Sequence, residues 1–96
     1  MTSLKSQETG ICTLLDDKNP VAEKAFNLLY DKYFAESLKE RCGKLQILRS
    51  IYLDRKHLKV SQLALTHNMQ ERTLIRYRHE FVEWFYVIYN MLKDFS

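Results

Sequence analysis

Glycine and proline are scarce in this chain. Its 96 residues hold two glycines, Gly10 and Gly43, and one proline, Pro20. A β-sandwich or barrel of this length needs many tight turns, usually built from those two residues, so an all-β fold is excluded. A glycine-rich phosphate-binding loop is excluded for the same reason. Cysteine is equally sparse. Cys12 and Cys42 match no metal-ligand spacing, and two cysteines build no disulfide framework. They are read as reduced thiols of a cytoplasmic protein, and no metal or cofactor is expected. Long apolar runs are missing too. The longest, Phe81–Leu92, is interrupted by Glu83 and Asn90 and is too short to span a bilayer, so no membrane partner is expected. No basic stretch followed by an apolar run marks a signal peptide at the N-terminus. A hydrophobic share of 46% and a charged share of 28% leave one class, a small all-α soluble domain.

The net charge of +3 conceals an asymmetry. Residues 1–43 carry six basic and seven acidic side chains, whereas residues 44–96 carry nine basic against five acidic. The window 49–79 is the most basic, with Arg49, Arg55, Lys56, Lys59, Arg72, Arg76 and Arg78 against Asp54 and Glu71. All three histidines, His57, His67 and His79, also fall there. Such a split points to a polyanionic partner for the second half. A solvated helical surface is the plain alternative.

The apolar spacing predicts a series of helices. Residues 1–18 are polar, with one cluster of Ile11, Leu14 and Leu15, and read as a flexible N-terminal arm or a short helical turn. Residues 19–96 read as a single helical domain. Asn19-Pro20 starts a helix, since Asn can cap and Pro suits the first turn. Ala22, Ala25, Phe26, Leu29 and Tyr33 follow at helical spacing. Gly43 is expected to close that helix in the left-handed conformation. A second helix is predicted over about 44–54, with Leu45, Leu48, Ile51 and Tyr52 inward. A basic connection, Arg55–Lys59, leads to a short helix over about 61–67, with Ser61 as its cap. From Glu71 to about Lys93 there is no breaker at all.

The stretch from Val60 to Arg78 fits a helix-turn-helix, at about residues 60–79. Ala64 stands where two helices cross closely and a larger side chain would force them apart. Asn68 takes the turn position usually held by Gly, and Met69 plugs the turn. Leu74 and Tyr77 face inward. The outward face of the second helix carries Gln70, Glu71, Arg72, Thr73, Ile75, Arg76 and His79. Arg72 and Arg76 lie one turn apart and can enter one major groove, pairing with guanine edges or phosphate. Lys56, His57 and Lys59 are expected to clamp the DNA backbone, with Arg55 and Arg78 assisting. An ordinary helical hairpin is the alternative, and coincidence with the most basic window favours DNA.

Several of these residues also carry a resemblance. Ile51-Tyr52-Leu53, the basic connection, Arg72-Thr73 and Arg76-Tyr77-Arg78 lie within Lys44–Leu92, about half the chain. This segment resembles the small sigma-factor-like, phage-associated transcriptional regulators of Gram-positive bacteria, of the ArpU/RinA type. The resemblance implies a helix-turn-helix related to region 4 of sigma factors, double-stranded DNA as partner, and control of phage or autolysin genes. Two positions depart from the pattern. Gln70 stands where Ser or Thr usually caps the recognition helix, and Asn68 replaces the turn glycine. Residues 1–43 match no family pattern.

Aromatic residues are concentrated in the tail. Seven of them lie between Tyr77 and Phe95. Leu74, Tyr77, Phe81, Trp84, Ile88, Met91 and Phe95 follow an alternating spacing of three and four, with Val82, Tyr86 and Tyr89 on another side. This is more apolar surface than one covering helix hides. A homodimer is therefore expected, built on Phe81, Trp84, Phe85, Ile88, Tyr89 and Leu92. No carboxylate pair, metalloprotease motif or activated nucleophile can be read, so an enzyme is not expected. Sequence-specific transcriptional regulation through DNA binding is the leading reading. The alternative is a protein-interaction adaptor that binds RNA polymerase or a sigma factor through the aromatic face.

Overall fold

The computed structural model describes residues 3–39, 43–55 and 59–95. All regular structure among them is helical: α1 (Leu4–Asp16), α2 (Pro20–Lys39), α3 (Lys44–Tyr52), α4 (Val60–Thr66) and α5 (Glu71–Asp94). The 24 residues of α5 span about 36 Å at the standard helical rise. It packs against all four other helices, most extensively against α2.

Residues expected to form a flexible arm or a short helical turn form the 13-residue helix α1. Ser3 caps it, its hydroxyl accepting from the Ser6 amide at 3.2 Å. The inward stripe is Leu4, Glu8, Ile11 and Leu15, with Ile11 fully buried and the two leucines packed on the core. Glu8 interrupts this stripe in sequence, so the apolar period is hidden. The carboxylate is nonetheless buried, because Arg78 of α5 pairs with it.

A tight corner turns α1 into α2. Lys18 adopts a left-handed φ of 56°. The Asn19 and Lys18 amides donate back to the Leu14 and Leu15 carbonyls, both at 3.1 Å, which is the paired closure of a Schellman motif. Asn19 then caps α2, its Oδ1 accepting from Val21 and Ala22 at 3.0 and 3.1 Å. The expected Asn19-Pro20 start is therefore present. Gly43 sits at φ 75° just before α3, in the left-handed conformation expected of it.

Two other boundaries move. The third helix stops at Tyr52 rather than Asp54, because the Leu53 and Asp54 amides both donate to the Arg49 carbonyl, at 2.9 and 2.8 Å. The fourth begins at Val60, with Lys59 and not Ser61 at its cap position. Gln62 reaches back to satisfy the Lys59 amide at 3.2 Å, one half of a capping box.

The core joins α2, α3 and α5. Tyr33 and Phe81 meet edge to face at 5.1 Å between ring centres, and Phe26 meets Tyr52 at 5.9 Å. Such contacts add about 1 kcal/mol each to the burial of the rings. Phe81 and Phe85 are both 0% exposed. They cannot reach a second copy of the chain, so the expected dimer surface loses these two residues. Helix α1 covers much of the side carrying Val82, Tyr86 and Tyr89: Val82 is buried and the two tyrosines are half-buried. The Tyr86 hydroxyl lies so close to α1 that a Cβ added at Gly10 would meet it at 3.0 Å. With α1 on that side, the apolar surplus of α5 is smaller than its sequence implies.

Candidate nucleic-acid interface

The turn between α4 and α5 is closed by backbone geometry. Asn68 has φ 53°. Its amide donates to the Leu65 carbonyl at 3.1 Å, and the Met69 amide donates to the Ala64 carbonyl at 2.9 Å. This is a second Schellman closure, with Asn doing what glycine usually does. Ala64 is 2% exposed, and Met69 packs on the core beside it. His67, the residue before the turn, is half-buried, and its Nε2 lies 3.3 Å from Ser50 Oγ. That contact ties the turn to α3.

Past the turn, the first half of α5 is split cleanly. Leu74 is fully buried. Gln70, Glu71, Arg72, Ile75, Arg76 and His79 are exposed, and Thr73 is half-buried. Arg72 has no carboxylate partner among the described residues, nor does Arg76, whose guanidinium carbon lies 5.8 Å from the Tyr77 ring centre. Glu80, the next acidic residue along α5, is drawn to the other side. It accepts from the Tyr33 hydroxyl at 2.9 Å and pairs with Lys44 at 3.1 Å. Gln70 makes no side-chain cap, so the first-turn amides of α5 receive no side-chain acceptor from it. Lys59, at the head of α4, is exposed as well.

Two expected backbone clamps are engaged in ion pairs within the fold. Arg78 donates from Nε to Glu8 Oε2 at 2.9 Å and from Nη2 to Oε1. Only 18% of its side chain is exposed. Arg55 donates from Nη2 to Asp16 Oδ1 at 2.7 Å and from Nε to the Tyr52 carbonyl at 2.8 Å. Both arginines therefore hold α1 to the rest of the fold. Lys56 and His57, the other expected clamps, lie outside the described residues. Sequence reasoning missed Glu8 and Asp16 as partners. The available signal was Glu8 itself, an acid set at helical spacing among Leu4, Ile11 and Leu15.

The internal electrostatics follow from burial. The hydrogen bond to Glu8 pushes the Arg78 pKa up, outweighing the opposing effect of its own desolvation. Desolvation pushes the Tyr52 hydroxyl well above its ordinary value, and the neighbouring Glu8 charge adds to the effect. That hydroxyl is buried without a hydrogen-bond partner among the described residues. Among the described residues, no three His, Cys, Asp or Glu side chains converge in a way that could hold a metal ion. No described helix is long and apolar enough to cross a membrane.

Comparison with known protein families finds no matching family model, and comparisons with curated proteins and with solved structures find no match either.

Proposed function

We propose that the chain is a sequence-specific DNA-binding transcriptional regulator that reads the major groove with the first half of α5. The observation that carries this reading is the pairing of Arg72 and Arg76. They lie one turn apart on an exposed face, without carboxylate partners among the described residues, directly after a left-handed turn. A protruding helix start with two free guanidiniums suits bidentate contact with guanine. The exposed Lys59 would meet phosphate. The α4–turn–α5 unit acts in this reading as a helix-turn-helix of the sigma region 4 kind, and the resemblance of Lys44–Leu92 to the ArpU/RinA type rests on the residues quoted for it.

The proposed form on DNA is a homodimer. Among the residues first expected at its seam, Trp84 is 41% exposed, and Ile88, Tyr89 and Leu92 are half-buried. Val87 and Met91 extend this apolar face. Because α5 is one continuous rod, pairing its second half would fix the separation of two reading ends. Two-fold symmetry of that kind fits a palindromic site.

Selection of bound duplexes from random DNA tests the reading. It should return an enriched motif, with affinity falling steeply as salt rises. Arg76→Ala should flatten preference at one position, whereas Lys59→Ala should weaken all sequences about equally. No enriched motif, or unchanged duplex affinity in the Arg72→Ala/Arg76→Ala variant, would sink it. The same exposed Trp84, Val87 and Met91 favour the second reading, an adaptor for RNA polymerase or a sigma factor. It gains if purified polymerase binds the wild type and not a Trp84→Ala variant.

A further inference from the structure

A cleft of about 610 Å³ lies between α1 and the surface formed by α3, α4 and α5. Its volume is within the ~300–1,000 Å³ of typical small-molecule pockets. One wall is apolar and comes from Ile51, Val60 and Leu63. Four cationic side chains also line it: Lys5, Arg55, Lys59 and Arg78. Against them stand two carboxylates among the described residues, Glu8 and Asp16. Both acids are already engaged, Glu8 with Arg78 and Asp16 with Arg55. Cys12 adds no negative charge at neutral pH, because burial pushes its thiol pKa up. The Thr9 and Thr13 hydroxyls are spent as donors on backbone carbonyls of α1, each at 2.9 Å.

The donors left over are therefore all cationic. A guanidinium carries five N–H groups in a fixed fork. Arg78 uses Nε and Nη2 on Glu8, which leaves Nη1 without a described partner. Lys5 and Lys59 are exposed and have no described ion-pair partner. A net positive lining beside an apolar wall selects for a ligand that is negative at one end and apolar at the other.

We propose that this cleft binds a small amphipathic organic anion, an aromatic carboxylate in size and shape. Its apolar body lies on Ile51, Val60 and Leu63, and its carboxylate sits among Lys5, Lys59 and the unspent edge of Arg78. Arg72 and Arg76 take no part in the lining, whereas Lys59 is shared with the proposed phosphate contact.

The test titrates 2-naphthoate into the whole chain while the methyl NMR signals of Ile51, Val60 and Leu63 are followed. Saturable shifts in those three residues are expected. The neutral analogue 2-naphthalenemethanol should bind at least about tenfold more weakly. Lys5→Gln/Lys59→Gln replaces two exposed side chains outside the ion pairs, so the fold is retained, and it should weaken naphthoate roughly fivefold or more. Thr13→Trp, also at an exposed position, should abolish binding by filling the cleft. Absence of saturation up to about 10 mM naphthoate overturns the proposal. Equal binding of the neutral analogue overturns it too, as do shifts confined to Trp84 and Met91.

Discussion

Arg78 of α5 grips Glu8 of α1 with two nitrogens, from 70 positions away in the chain. The Glu8 side chain is 8% exposed and that of Arg78 is 18% exposed. A pair held this far from water stabilises through its mutual completeness more than through its Coulomb attraction. Removing one partner leaves the other charge desolvated and unsatisfied. Glu8→Leu and Arg78→Met should therefore each cost about 2–3 kcal/mol, and Glu8→Leu/Arg78→Met should cost less than either single change. Urea unfolding of the four proteins in the cycle checks this. Strictly additive losses would show that the two side chains act independently.

The same pair marks the limit of what could be read from sequence. Four helices were legible because their apolar residues recur at helical spacing without interruption, as in Ala22, Ala25, Phe26, Leu29 and Tyr33. Their punctuation was legible too, since Asn19, Gly43 and Asn68 each have local chemistry suited to one backbone conformation. Helix α1 was not legible, because a charged residue occupies a buried position and its partner lies on the last helix. Long-range pairing leaves only an indirect local trace, an acid at helical spacing among Leu4, Ile11 and Leu15. Helix α1 also explains why Tyr86 is not open surface and why Arg55 and Arg78 carry intramolecular ion pairs. The face bearing Arg72 and Arg76 was placed correctly in solvent, because the buried Leu74 fixes the helix phase.

Asn68 carries the turn at a left-handed φ that costs most side chains about 1 kcal/mol or more. Asn68→Gly should be neutral to stabilising, and Asn68→Val should destabilise by about 1–2 kcal/mol. Gln70 leaves the next helix without a side-chain cap, so Gln70→Ser should add about 0.5–1 kcal/mol. Thermal unfolding of the three variants is the measurement. An Asn68→Val protein as stable as the wild type would show that the turn does not depend on this conformation.

Tyr52 buries a hydroxyl that has no hydrogen-bond partner among the described residues. Tyr52→Phe removes this penalty while keeping the ring packed on Phe26, so it should stabilise the fold by about 1 kcal/mol at neutral pH. The pH dependence has a defined sign. Burial raises the folded-state pKa above the ordinary value of 10.0. Below pH 10 both states hold the proton and no dependence arises. Above it the unfolded chain releases the proton while the folded one retains it, and stability falls as pH rises. Tyr52→Phe should lose stability less steeply across about pH 10 to 11.5, by up to ~1.4 kcal/mol per pH unit. Parallel alkaline limbs for the two proteins would sink the assignment.

Trp84 offers the test of the proposed homodimer. Its ring is 41% exposed, with the Lys32 ammonium 4.9 Å from its centre. Met91, two turns further along α5, is 57% exposed. Neither residue belongs to the buried core, so replacing both should leave the fold intact. Trp84→Ala/Met91→Glu should convert a dimer at tens of micromolar into a monomer, read by sedimentation velocity, while the circular dichroism spectrum keeps its helical form. A charge placed in an apolar seam acts strongly there, because it would be desolvated without a partner. If the dimer aligns two reading ends on a palindrome, the variant should also bind the selected duplex more weakly yet keep its preference for the same half-site. Arg76→Ala should do the reverse, losing preference while remaining dimeric. A wild-type chain that sediments as a monomer at these concentrations would remove the seam from the proposal and leave the reading face of α5 standing by itself.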